Sequence, residues 1–305
     1  MKRLLDCTAS DFTEMNGAQL RQAVEASEGR AMLSEVNCAS TPLYPGLTNA
    51  EYASAFGADM ILLNQFDVDV PNIKGLSAEA PQLVITELKK LVGRPIGVNL
   101  EPVDPHADNA ETLNTLPKGR TAAADSLEKA KELSVDFVCL TGNPKTGVTN
   151  TAILESIRLA KDILQDEVMI IAGKMHGAGV RNEAGDGIVS QNVVAEFAKA
   201  GADVILLPAV GSVPGTTLAK TEALVRAVHE QGALALTAIG TSQEGAAKET
   251  IQQMALQNKM AGADIHHIGD AGEHGISVPE NIMDYSTAIR GKRHTYVRMA
   301  ASINR

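Results

Sequence analysis

The chain has 305 residues, 44% hydrophobic and 21% charged, a profile that excludes a disordered polypeptide and allows a sizeable core. Its net charge of -10, aromatic content of 3% and lack of tryptophan offer nucleic acid neither a cationic surface nor stacking platforms. No apolar run approaches the roughly 20 residues of a membrane helix, Asp6 interrupts the N-terminus before a signal core develops, and the scattered Cys7, Cys38 and Cys139 form neither a disulfide framework nor a metal-ligand pair, so a cytoplasmic protein without nucleic-acid or membrane partners is expected.

The first predicted element is a helix from about Asp11 to Ser27, followed by an apolar strand at Ala31–Asn37 that carries Glu35 and Asn37 near its far end. Thr48 and Glu51 have capping-box spacing, Gly57 stands where the next helix should stop, and Asp59–Phe66 is the second strand, with Asn64 near its end and Asp67 beyond. Ser77 is placed to cap a helix running through Lys90, and the third strand, Pro95–Leu100, leads to Asn99 and Glu101. The fourth, Asp136–Thr141, ends at Thr141 and Asn143, with Cys139 reading as a small core residue. After the fifth, Val168–Gly173, comes a glycine-rich segment bearing Lys174, His176 and Arg181, of the kind that closes over a substrate. Asp203–Pro208 is the sixth strand. The seventh and eighth, Leu234–Ile239 and Asp264–Gly269, run into Gly240-Thr241-Ser242 and Gly269-Asp270-Ala271, small-residue turns whose backbone amides suit a phosphate, although Glu244 and Asp270 would repel it if they faced it.

Most of these runs are continuously apolar, as strands are when helices cover a parallel sheet. Gly-Ala-Asp opens the second, sixth and eighth strands, and Ser134-Val135-Asp136 stands at the matching point of the fourth. Eight evenly spaced strand–helix units predict a single (β/α)8 barrel of the TIM type over residues 31–305, preceded by a helical extension over residues 1–30. A doubly wound open sheet is the structural competitor, although no Gly-x-Gly-x-x-Gly follows the first strand.

In such a barrel the opening aspartates stabilise, and polar residues at the strand C-termini are the functional candidates. By strand parity, His267 shares the inward face with Asn64 and Thr141, leaving His266 as a satisfied core residue. Glu35, Asp67 and Glu101 are candidate general bases or metal ligands; Lys174, His176 and Arg181 are candidate counter-charges for a substrate anion, Lys174 being also a candidate Schiff-base nucleophile. Asn64, Asn99, Thr141, Gly240, Thr241, Ser242, Gly269 and Asp270 complete the candidate binding set. Carboxylates on neighbouring strands suit magnesium, and no other cofactor is indicated. The expected function is that of a lyase, aldolase or isomerase acting on a small phosphorylated or carboxylated metabolite; a non-catalytic protein binding such a metabolite would use the same mouth, and a homo-oligomer is compatible with either.

Asp67-Val68-Asp69-Val70, Thr141-Gly142-Asn143, Lys174 and Gly269-Asp270 with Glu273 are similar, in order, to the motifs of haloacid dehalogenase-like phosphatases, a resemblance that implies a nucleophilic Asp67 and a magnesium ion held by the acidic residues. Over nearly its full length the chain resembles a bacterial TIM-barrel family whose members carry the labels haloacid dehalogenase-like hydrolase and phosphoenolpyruvate phosphonomutase-like. The phosphonomutase superfamily uses a Glu-Asp-Lys loop and a strand-end aspartate pair that binds magnesium, whereas no Glu-Asp-Lys run occurs here.

Overall fold

A computed structural model describes residues 2–109, 112–183 and 185–305. Parallel strands β1 (Ala31–Asn37), β2 (Met60–Asn64), β3 (Ile96–Leu100), β4 (Phe137–Leu140), β5 (Met169–Gly173), β6 (Val204–Pro208), β7 (Leu234–Ile239) and β8 (Ile265–Ile268) pair in sequence order. β8 closes the barrel on β1 through Ala31 opposite Ile265 and Leu33 opposite His267. Each strand lies within its predicted span, and the open-sheet alternative is excluded.

Helices α3 (Asn49–Ala55), α4 (Val84–Val92), α5 (Ala124–Glu132), α6 (Asn150–Leu164), α7 (Gln191–Ala200), α8 (Leu218–His229), α9 (Lys248–Met260) and α10 (Pro279–Ala300) connect and cover the strands. Thr48 and Glu51 form the expected capping box on α3. Ser77 does not cap α4: a turn of 3-10 helix at Pro81–Leu83 precedes it, and the helix begins at Val84. Proline prefers the first turn of a helix, so Pro81 marks the start that Ser77 was expected to supply.

The predicted N-terminal helix is two pieces, α1 (Ala9–Thr13) and α2 (Gly17–Glu25). Asn16 separates them by capping α2, its side chain accepting from Gln19 N at 2.9 Å while Gln19 returns the bond at 3.0 Å. Gly17 follows because a Cβ there would stand 2.3 Å from Met169 N, at the bottom of the barrel wall. Leu4, Phe12, Leu20 and Val24 of this segment pack with the strands' inward-facing Leu33, Met60, Phe137 and Met169, so the extension plugs the barrel base. A second buried layer lies between barrel and outer helices. In the interior, Phe137 sweeps across the position opposite Gly97, where a Cβ would come within 2.2 Å of its ring.

The repeated opening aspartates have a common task. The carboxylates of Asp59, Asp136, Asp203 and Asp264 accept the backbone N–H of Met32, Ile96, Ile170 and Ala235, at 2.8, 2.7, 2.8 and 2.8 Å. Every even strand thus pins the odd strand before it. Asp59 is also gripped by Arg290 and Arg298 of α10, and Arg298 donates in addition to the Leu4 and Cys7 carbonyls. Burial alone would raise the Asp59 carboxyl, but the two guanidinium groups hold it below its ordinary value.

Candidate active site at the barrel mouth

Along several strands the inward-facing side chains change from apolar at the base to polar at the C-terminal end: Ala31, Leu33 and Glu35 on β1; Met60, Leu62 and Asn64 on β2; Phe137, Cys139 and Thr141 on and just after β4. The polar ends converge on a cavity of about 490 Å³. Its floor is formed by Glu35, Asn64, Asn99, Thr141 and Glu244, all buried, together with Asp270. Lys145, Met175, His176 and the segment 177–180 line it from the loops after β4 and β5, and Gly240, Thr241, Ser242 and Gly269 from those after β7 and β8.

The amides of Asn64 and Asn143 face each other head to tail, each Nδ2 donating to the other's Oδ1 at 2.9 Å. Their second amide protons go to carboxylates: Asn64 Nδ2 donates to Asp270 Oδ2 at 3.0 Å and Asn143 Nδ2 to Glu101 Oε1 at 2.8 Å. Glu101 accepts also from Asn143 N at 2.8 Å and from Arg120 at 3.1 Å. This chain of bonds fixes both amide orientations, because a carboxylate can only accept.

Glu35 and Asp270 have no arginine or lysine partner among the described residues. Burial, reinforced by the charges of Glu244 and Glu101, pushes the Glu35 carboxyl from its ordinary 4.5 up to about 8. Burial and the charge of Glu35 push Asp270 from 3.8 to about 7, against the hydrogen bond from Asn64. His267 Nε2 stands 3.2 Å from Glu35 Oε2 but out of line for a hydrogen bond, and burial lowers this histidine to about 4. Burial, with Lys174 nearby, does the same to His176. Near neutral pH the floor therefore combines two carboxyl groups close to their titration points with neutral imidazoles.

The inward parity expected of His267 is observed, and His266 points outward, within hydrogen-bond reach of Tyr285 and the Gly29 carbonyl. Glu35, Asn64, Asn99, Thr141, His176, Gly240, Thr241, Ser242, Gly269 and Asp270 come together around the cavity. Asp67, Glu101, Lys174 and Arg181 do not line it. Asp67 accepts from Asp69 N at 2.9 Å in its own turn, and Glu101 lies behind Asn143. Lys174 follows the inward-facing Gly173, so it points to the outer layer, buried and paired with Glu183 at 2.5 Å. Arg181 is paired with Asp108 at 3.3 Å. The haloacid dehalogenase-like constellation is thereby corrected: Thr141 and Asp270 reach the cavity, whereas Asp67 and Lys174 lie outside it, and the strands close into a barrel.

The turn after β7 holds a residue whose role the sequence did not disclose. Thr241 and Ser242 adopt left-handed backbone conformations, at φ 57° and 71°, and the chain then carries Glu244 back inside. Glu244 Oε1 accepts the Ala271 amide at 2.9 Å, and the Gly269 amide is taken by the Ile239 carbonyl. Two of the amides expected to cradle phosphate are thus engaged, one of them by an internal carboxylate. No group of three or more His, Cys, Asp or Glu residues among the described residues is placed to hold a metal ion, so no step is assigned to magnesium. No helix among them is long and apolar enough to cross a membrane.

Known structures share the barrel. The chain is similar to a putative lyase/mutase from Burkholderia cenocepacia J2315, at 17% identity over 85% of this chain and 82% of that one, with a TM-score of 0.51. It is similar to 2,3-dimethylmalate lyase, a PEP mutase/isocitrate lyase superfamily member, at 15% identity over 83% and 81%, with a TM-score of 0.50. The carboxyl transferase domain from Rhizobium etli pyruvate carboxylase gives 14% identity over 96% of this chain and 52% of that one, with a TM-score of 0.51. These likenesses show the fold. Comparison with curated proteins gives no match. The family described as Domain of unknown function (DUF7916) matches residues 5–305, and the chain belongs to it.

Proposed function

We propose that this DUF7916 barrel is a small-molecule enzyme of the lyase or isomerase type that moves a proton to and from a metabolite held in the mouth, with Glu35 and Asp270 as the exchanging groups. One observation carries the reading: two carboxyls line one cavity floor, Glu35 buried and Asp270 half-buried, without a cationic partner among the described residues, and burial pushes them up to about 8 and about 7. Carboxyls so placed serve as general acid and base at neutral pH, because the charge of Glu35 disfavours that of Asp270 and one holds a proton while the other is free to accept one.

The anionic group of a phosphorylated or carboxylated metabolite is repelled from a floor made by Glu35, Asp270 and Glu244. It is assigned to the outer wall, between the 177–180 segment and Thr241–Ser242, with the reacting carbon below. Likeness of the fold to a lyase of the PEP mutase/isocitrate lyase superfamily supports the reaction class. The test is a panel of small carboxylated and phosphorylated metabolites incubated with the protein in deuterated water and followed by NMR for deuterium incorporation or cleavage. With a substrate in hand, Glu35→Gln should lower turnover by about 10²–10⁴-fold, the range for a lost general acid or base. Turnover at the wild-type rate would overturn the assignment.

A further inference from the structure

A ligand seated on the floor must satisfy the polar atoms that the protein leaves open there. The four amide protons of Asn64 and Asn143 are already given to each other, to Asp270 and to Glu101. Asn99 turns its Nδ2 toward Asn64 Oδ1, at 3.5 Å, which leaves Asn99 Oδ1 buried without a partner. Glu244 gives one oxygen to the Ala271 amide, and its Oε2 is likewise buried and unpartnered. Glu35 has only the misaligned His267 ring beside it. Against these acceptors the floor offers the Thr141 hydroxyl, itself unpartnered and able to give a proton or take one, and the single N–H of the neutral His267 ring, while Lys145 lines the cavity from the loop after β4. Buried acceptors without donors are costly, so the floor favours a ligand rich in donors.

We infer that the floor is built for a protonated amine: the substrate is a small zwitterionic metabolite that enters ammonium first, shares its N–H groups among Glu35, Glu244 and Asn99, and leaves its phosphate or carboxylate toward the open end. An ammonium carries three donors, no acceptor and the charge that three neighbouring carboxylates require. A carboxylate or phosphate in the same place would add acceptors to acceptors. The inference rests on the acid–base reading and names its substrate class.

With the His267 and His176 rings neutral and Lys145 lying on the lining from the loop after β4, the repulsion among Glu35, Asp270 and Glu244, with Glu101 behind, is relieved by protons. A cation takes over that role and displaces them. Its affinity therefore rises with pH, whereas that of an anion falls.

Fragments of matched size test this in the intact chain: propylammonium, propionate and 1-propanol, titrated against the methyl resonance of Met175, which lines the cavity. Propylammonium should shift that resonance saturably and bind about tenfold or more tightly at about pH 8.5 than at about pH 6, as displacement of one proton requires. Glu244→Gln, which keeps the acceptor for the Ala271 amide, should weaken it by about tenfold through loss of one charge. Preferential binding of propionate, tightening on acidification, would overturn the amine while leaving Glu35 and Asp270 as the acid–base pair. If none of the three probes moves the Met175 signal, the amine and the proposed active site both fall.

Discussion

Replacement of Glu35 by glutamine tests the floor without a substrate. In the unfolded chain this carboxyl ionises near its ordinary value of 4.5, and in the fold it holds its proton up to about 8. Folding is therefore unperturbed by Glu35 at pH below 4.5, progressively penalised as pH rises from 4.5 to about 8, and penalised by a constant amount above that. At about 1.36 kcal/mol for each tenfold change in proton affinity, the full rise corresponds to about 5 kcal/mol. Relaxation of Glu244 and Asp270, which share the repulsion, reduces what a single substitution recovers to roughly 2–4 kcal/mol. Glutamine matches the shape and cannot ionise. Glu35→Gln should accordingly leave stability unchanged at about pH 4 and raise it at about pH 9, by roughly 4–10 °C in melting temperature. Thermal unfolding followed by circular dichroism across that pH range is the assay. An equal effect at both ends of the range, or a loss of stability in alkali, would refute the claim that the fold holds this carboxyl at high proton affinity.

Other consequences are open to measurement. Asp59→Asn leaves Arg290 and Arg298 buried without their counter-charge, and denaturant unfolding should show a loss of about 3–5 kcal/mol. Glu101→Gln removes one of the charges that raise Glu35; titration of the ¹³C-labelled Glu35 carboxyl should move to lower pH, and an unmoved curve would remove Glu101 from the electrostatics of the site. Gly97→Ala drives a methyl into the Phe137 ring and should cost about 1–3 kcal/mol or more, part of it restored by Phe137→Leu in the double variant. At limiting substrate, the rate of carbon–hydrogen exchange (kcat/KM) should be greatest near pH 7–8, where the Glu35–Asp270 pair of the free protein holds about one proton.

The strands were legible because each is a short apolar run between turn signals, and the stabilising role of the opening aspartates follows from their place before the strand. Parity placed His267 inside. The same rule, applied across Gly173, sends Lys174 outward, whereas nearness to the strand end alone places it in the mouth. Asp67 and Arg181 were beyond reach for another reason: each lies in a loop whose path depends on partners such as Asp69 and Asp108 that periodicity does not reveal. Glu244 was visible as a charge near the glycine turn. Its inward turn required left-handed conformations at Thr241 and Ser242, where the sequence offers no glycine. The Asn64–Asn143 pairing joins residues 79 apart and the Arg290–Asp59 contact residues 231 apart, separations at which a single sequence carries no pairing signal.

The grip of α10 on Asp59 also works as a lever. Asp59 immediately precedes β2, and Asn64 is the last residue of that strand, five positions later, so at about 3.3 Å per residue a strut of about 17 Å joins the arginine clamp at the base to the amide on the cavity floor. A strand held in a closed barrel slides or tilts as a unit more readily than it stretches. Movement of α10 relative to the N-terminal plug, which Arg298 ties to the same point, would therefore be read at the other end as a displacement of Asn64 against Asn143 and Asp270. Such a movement would act on the mouth through the length of one strand, as a setting screw does, from a helix that does not line the cavity.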